Sequence, residues 1–203
     1  ERPVIIAGSG AINSQAWDEV LELAEMLTIP VATTLSGKGI IPDTTPLSVG
    51  VVGRYSKPTS NYVVGSADVA LLAGSRADYF STDGLTLPRP EAKVIYLDND
   101  PEIIGRNYVA AVSMLGDVKL GLVDLISVLN TMRPRPNPNR LEELRKMQAG
   151  WEKLAADHMN SDAVPIKPHR IVREVRDYLG KDDLIFTDTG QAAVWVGVLY
   201  KML

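Results

Sequence analysis

Short apolar runs separated by polar, glycine-bearing turns dominate the first two thirds of this chain. Val4–Ala7, Val31–Thr34, Ala67–Ala73, Lys93–Leu97 and Ala111–Met114 read as strands. They are continuous apolar runs without polar alternation, the pattern of strands buried on both faces. Between them, apolar residues recur at helical spacing. Trp17, Val20, Leu21, Ala24 and Leu27 mark one helix, with Ser14 as its candidate N-cap. Pro58–Val64 reads as a short helix capped by Ser56, and Val118 to about Met132 as a longer one. The polar and glycine-rich stretches 36–39, 42–46 and 50–54 read as turns and loops. Strands alternating with helices predict an α/β fold with a doubly wound parallel sheet, spanning residues 1–132.

The pattern then changes. Arg133–Asn139 reads RPRPNPN, and prolines at alternate positions make an extended linker. Leu141, Leu144, Met147, Trp151 and Leu154 place a helix over 141–159, and Ile171, Val172, Val175 and Leu179 another over 168–179. The last stretch is DLIFTDTGQAAVWVGVLYKML. Leu184–Phe186 reads as a short buried strand, Thr187–Gly190 as a polar turn, and Gln191 onward as a helix with Val194, Trp195, Val198 and Leu199 on one face. This is the opening unit of another α/β domain. The expected organisation is therefore a sheet domain over 1–132, a linker and helix over 133–165, and the truncated start of a further domain over 166–203.

Composition narrows the function classes. The chain has 203 residues, a formal net charge of -4, 45% hydrophobic and 23% charged residues, and no cysteine. Disulfide scaffolds, cysteine-bound zinc and thiol nucleophiles are excluded. The acidic balance argues against a nucleic-acid partner. No apolar run is long enough for a bilayer, so no membrane partner is expected. The lack of cysteine fits a reducing compartment, and a cytoplasmic location is expected.

The polar turns fall at the carboxyl ends of the predicted strands: Gly8–Gly10, Thr34–Ser36, Gly74–Arg76, Asp98–Asp100 and Gly116–Asp117. In open parallel sheets that edge binds ligands, and helix starts there favour phosphate. Together the turns point to a nucleotide-like ligand. The first turn is not a full dinucleotide fingerprint, because Asn13 stands where the third glycine belongs and no acidic residue ends the second strand. Ser36-Gly37-Lys38-Gly39 fails as a phosphate loop, which makes Lys38 a solvated loop residue. Arg76 directly follows a buried strand; it can meet a phosphate or flat ring, or pair with Asp78 or Asp98. His158 and His169 lack partners at metal-ligand spacing and read as surface or boundary residues. Trp151 and Trp195 read as core or interface aromatics. No catalytic triad and no metal site is assigned.

Several segments in order then carry a resemblance: RPVIIAGSGAINS, LTIPVATTLSGKGIIPDTTPLSVGVVGRY, ADVALLAGSRADYFST, KVIYLDNDPEIIGRNY, LGDVKLGLVDLI and KPHRIVREVRDYLGKDDLIFTDTGQAAVWVGVLYKM. Over nearly its whole length the chain resembles the thiamine-diphosphate-dependent enzymes, the acetolactate synthase branch most closely. The resemblance implies a Rossmann-like central domain followed by the entry into the diphosphate-binding domain. It implies FAD, an ADP-like group or no ligand on the central domain. The matching positions are Gly8, Gly10, Thr34, Leu35, Gly53, Gly74, Arg76, Asp98, Asn99, Gly116 and Asp117. Gly190 and Gln191 match a turn that contacts thiamine diphosphate. The family's Gly-Met-His reads Gly53-Arg54-Tyr55, its Arg-Phe-Asp-Asp reads Arg76-Ala77-Asp78-Tyr79, and Ala192 stands where a histidine often follows.

The activity implied is decarboxylation of a 2-keto acid such as pyruvate and transfer of the acyl unit to an acceptor. It requires thiamine diphosphate and Mg2+ in a homodimeric or homotetrameric full-length enzyme. No catalytic or metal residue of that family falls within these residues, so the 203 residues alone are expected to be inactive. Glyoxylate carboligase, a 2-keto acid decarboxylase, sulfoacetaldehyde acetyltransferase and a non-catalytic nucleotide-binding module are the alternatives.

Overall fold

The computed structural model describes residues 1–133 and 135–203. Pro134, within the expected linker, lies outside the described residues. Six strands form one sheet: β1 (Pro3–Ala7), β2 (Val31–Thr33), β3 (Ser48–Val51), β4 (Val69–Ala73), β5 (Lys93–Asp98) and β6 (Ala110–Leu115). Their order is β3-β2-β1-β4-β5-β6, and every pairing is parallel. This is the doubly wound, Rossmann-like arrangement expected. β1 is central: Ile5 sits beside Val31 on one side and Leu71 on the other. Burial is almost unbroken along β1 to β4, as the continuous apolar runs require.

Helices α1 (Ser9–Asn13), α2 (Trp17–Leu27), α3 (Pro58–Gly65) and α4 (Val118–Met132) belong to this unit. α2 packs on α4, while α3 packs on β3. Val20, Leu23 and Ala24 of α2 and Leu122 and Ile126 of α4 join the strands in one core. α4 begins at Asp117, whose carboxylate accepts from Leu120 N at 3.0 Å.

The structure differs from the expected elements at five places. Residues 48–51 form β3 although 50–54 read as a loop. This strand is four residues long, contains Gly50 and pairs with a register shift, which hides it from an apolar-run criterion. No helix lies between β4 and β5 or between β5 and β6; turns make both connections. Ser14 ends α1 instead of starting α2, because its hydroxyl donates to Gly10 O at 2.8 Å; α2 starts after Ala16. Ser56 does not cap α3, whose N-cap is Lys57 with Pro58 in the first turn. Leu184–Phe186 has no regular secondary structure and pairs with no described strand. Leu184 is 79% and Phe186 88% exposed.

The C-terminal part contains α5 (Pro138–Met159), α6 (Pro168–Tyr178) and α7 (Gln191–Leu199). Pro138 stands in the first turn of α5, and the Asn137 side chain caps it, accepting from Arg140 N at 3.2 Å. α5 bridges two cores. Leu144 is buried with the sheet, whereas Trp151 and Met159 pack on a small cluster of Val172, Val198, Leu199 and Tyr200. Trp195 joins the same cluster, so both tryptophans are the packing residues expected. Arg176 fastens α6 to the end of α7, donating to Tyr200 Oη at 2.7 Å with its guanidinium 4.8 Å above the same ring. Among the described residues no helix is long and apolar enough to cross a membrane.

Candidate functional site

A cavity of about 600 Å3 opens at the carboxyl ends of β1, β2 and β4. β1 and β4 are neighbours there although the chain visits β2 and β3 between them, so this is the sheet's topological switch point. Gly8 and Ser9 follow β1, Thr34 to Ser36 follow β2, and Gly74 to Arg76 follow β4. Val51, Val52, Tyr55, Asp78, Phe80 and Ser81 add the outer wall. Thr189, Gly190 and Gln191, with Ala193 and Val194 of α7, close it from the C-terminal side.

The loops are held by one another. Gly10 N donates to Gly74 O at 2.9 Å, and Gly8 N to Ala73 O at 2.9 Å. Gly74 has φ +59°, and a Cβ there would lie 2.5 Å from Ala11 N; a Cβ on Gly10 would lie 2.7 Å from Gly74 Cα. A Cβ on Gly8 would run into the Gly74 carbonyl oxygen. These glycines let two loops interlock, a closer approach than any side chain permits. Thr34 starts a 3-10 turn by accepting from Gly37 N at 3.1 Å while its own N–H donates to Ala7 O at 2.9 Å.

The outer wall is equally fixed. Asn61 of α3 grips Gly53 twice, accepting from its N–H at 2.9 Å and donating to its carbonyl at 3.0 Å. Asp78 Oδ1 accepts from Phe80 N at 2.9 Å and Ser81 N at 2.8 Å. Arg54 N donates to Phe80 O at 2.8 Å. Phe80 and Tyr55 therefore stand near-parallel, 15° between ring planes, with centroids 6.1 Å apart. Arg76 makes no ion pair with Asp78 or Asp98 among the described residues; Asp78 Oδ1 serves the backbone N–H groups of its own turn. A guanidinium with no ion pair among the described residues, bare backbone turns and two exposed parallel rings suit a flat, anionic ligand.

The structure gathers some predicted positions and separates others. Gly8, Thr34, Leu35, Gly74, Arg76, Gly190 and Gln191 line the cavity. Gly10 and Gly53 lie behind its wall, holding Gly74 and Phe80 in place. Asp98, Asn99, Gly116 and Asp117 are not among its lining residues. Asp98 Oδ1 accepts from Asp100 N at 3.0 Å, Gly116 N donates to Asp98 O at 2.9 Å, and Asp117 caps α4. Ser9 and Ser75 were missed although they sit inside recognised turns. Tyr55 and Phe80 carry no local signal, since only the fold brings them together.

Two polar groups outside the cavity change the picture further. Lys38 is not a solvated loop residue: it pairs with Asp43 at 2.7 Å, the two side chains being 10% and 7% exposed. Burial works to raise the Asp43 carboxyl pKa, but Lys38, the Met202 N–H and Lys57 outweigh it and hold the group below its ordinary value. His158 and His169 lie at the boundary as expected. The fold stacks their rings 5.0 Å apart, and His169 lies 4.7 Å from Trp195. Burial first, then His158 and Lys167, push His169 below its ordinary pKa. Among the described residues no group of three or more His, Cys, Asp or Glu could hold a metal ion.

Comparison with known proteins adds to this geometry. The model of the thiamine pyrophosphate enzyme central domain matches residues 1–125. A probable acetolactate synthase large subunit of Methanocaldococcus jannaschii is 38% identical, covering 99% of this chain and 34% of that protein. One from Methanococcus aeolicus is 33% identical, over 99% of this chain and 35% of its own length. The acetolactate synthase large subunit of Parasynechococcus marenigrum is 31% identical, over 96% and 31% respectively. The chain thus spans about a third of the length of the curated relatives it matches.

Proposed function

The chain belongs to the thiamine pyrophosphate enzyme family, through that family's central domain, and from this premise we propose that it forms part of an acetolactate synthase-like enzyme dependent on thiamine diphosphate. The observation that carries the reading is the convergence of two sets of turns on one cavity. Gly8, Thr34, Gly74 and Arg76 form one wall, and Gly190 and Gln191 form the other.

On the first wall, Arg76 would meet the diphosphate of an ADP-containing nucleotide, FAD among them. Ser9 and Ser75 hydroxyls would hydrogen-bond it, and the Tyr55–Phe80 pair would flank its flat ring. On the second wall, the Gln191 amide and the backbone at the start of α7 would face the phosphates of thiamine diphosphate. Thiamine diphosphate, when bound, supplies the electron sink for decarboxylating a 2-keto acid such as pyruvate and passing the acyl unit to an acceptor. The role of these residues is to bind and orient; none of them is assigned a proton transfer. Magnesium dependence, a homodimeric or homotetrameric assembly and a cytoplasmic location complete the proposal. The described residues offer no cluster for the metal, and no role above depends on it.

The test uses the complete product of the gene, supplied with pyruvate and magnesium, with and without thiamine diphosphate and FAD. Thiamine-dependent acetolactate formation is expected. Arg76→Ala is expected to weaken nucleotide binding about tenfold, the loss of one charge-assisted contact. Pyruvate left untouched in the presence of every cofactor would sink the reading.

A further inference from the structure

A second cavity, of about 220 Å3, lies between the Asp43–Val49 segment, the start of α3, α5 and Lys201. All but one of its charges are matched. Lys38 pairs with Asp43, and Lys201 pairs with Glu152. Asp43 is saturated: Ser48 Oγ donates to Oδ1 at 3.0 Å, and Met202 N donates to Oδ2 at 3.0 Å. Gln148 gives its amide N–H to Ser48 O at 2.6 Å. Lys57 Nζ has no ion pair or hydrogen bond with any described residue, although it lines the cavity. The Thr44 and Thr59 hydroxyls, also in the lining, make no hydrogen bond to described residues either.

The position of Lys57 is built. Its stem lies against Gly50, where a Cβ would come 2.9 Å from Lys57 Cδ and where φ is +89°, a conformation that favours glycine. Burial lowers the Lys57 pKa; Asp43 partly opposes this, while Lys38 and Lys201 lower it further. A monoanion would match the unpaired ammonium. A dianion would meet repulsion from Asp43 and Glu152 at the same wall. Val49 and Trp151 supply an apolar side.

We propose that this cavity binds a small monocarboxylate, with its carboxylate on Lys57 Nζ and the Thr44 and Thr59 hydroxyls and its apolar end against Trp151. Because the ammonium is the recognised form, affinity falls as pH rises through the Lys57 pKa.

The test is a titration of the chain with acetate, then with inorganic phosphate, at fixed ionic strength, following the Trp151 indole N–H by NMR. A saturable shift is expected in the wild type, weakened about tenfold or more in Lys57→Met, the loss of one ion pair in a shielded site. Acetate should also protect Lys57 from reductive methylation in the unmodified chain, a reading that needs no folded variant. No saturable shift, an equal shift in Lys57→Met, or no protection of Lys57 would overturn the site. Tighter binding of phosphate than of acetate at Trp151 would overturn the assignment to a carboxylate.

Discussion

Two stretches of this chain carry the same pattern and fold differently. Val4-Ile5-Ile6-Ala7 runs into a glycine turn and a helix; Leu184-Ile185-Phe186 runs into Thr187–Gly190 and α7. The first is β1, hydrogen-bonded on both edges, with Val4, Ile5 and Ile6 between 1% and 3% exposed. The second is irregular, unpaired among the described residues and largely exposed at Leu184 and Phe186. The glycine turns before their helices also differ. α1 is locked by the Gly8–Gly10–Gly74 interlock, whereas nothing lies within 4 Å of a Cβ placed on Gly190. A strand-forming sequence does not suffice for a strand; neighbours of matching register decide whether it becomes one.

The largest expected effect separates the two directly. Ile5→Ala removes a buried side chain from the centre of the sheet and is expected to cost about 4 kcal/mol. Urea unfolding with the far-ultraviolet signal would check it. A cost below about 1 kcal/mol would mean that β1 is as loosely held as Leu184–Phe186.

A second substitution probes the joint between the two regions. Asp43 receives Lys38 from its own loop and Met202 N from beyond α7, so it ties the C-terminal part to the sheet unit. Asp43→Ala leaves the Lys38 ammonium buried without its partner and is expected to cost about 3 kcal/mol. The sign of the pH dependence follows from the lowered pKa of Asp43. Its contribution is complete above the unfolded value of 3.8 and is lost as pH falls through the lower folded value. Wild type and variant stabilities should therefore converge in acid. A gap that persists at low pH would refute the role of the charge.

How much was legible follows the same division. Continuous apolar runs revealed five strands and the parallel class; burial on both faces accounts for β1, β2 and β4, whereas β6 was found from its apolar run although most of its residues are exposed at the sheet edge. β3 left none: its four residues hold a serine and a glycine and rely on β2 for their place. At the candidate site, turns at strand ends were readable because strand direction fixes where they go. Gly10, Gly53 and Asp117 were readable as special but not as structural, since packing against Gly74, contact with Phe80 and the capping of α4 become apparent only in three dimensions. Tyr55 and Phe80 lie 25 positions apart in sequence and meet through backbone hydrogen bonds that no spacing announces. Lys38 looked solvated for the same reason, its partner Asp43 being placed by the loop before β3.

The smallest expected effect is the most discriminating for the comparison. Leu184→Ser alters the position that corresponds in pattern to Val4, yet Leu184 is 79% exposed. Removing apolar surface already in water forfeits little transfer free energy and leaves no cavity. The change is therefore expected to stay within about 0.5 kcal/mol. Backbone amides 184–186, which have no ladder partner among the described residues, should exchange with solvent far faster than those of Val4 to Ala7. A cost of about 2 kcal/mol together with slow exchange at 184–186 would show the segment pairing in a sheet after all. The difference between the two stretches would then lie in which neighbours are at hand, with pattern and propensity equal.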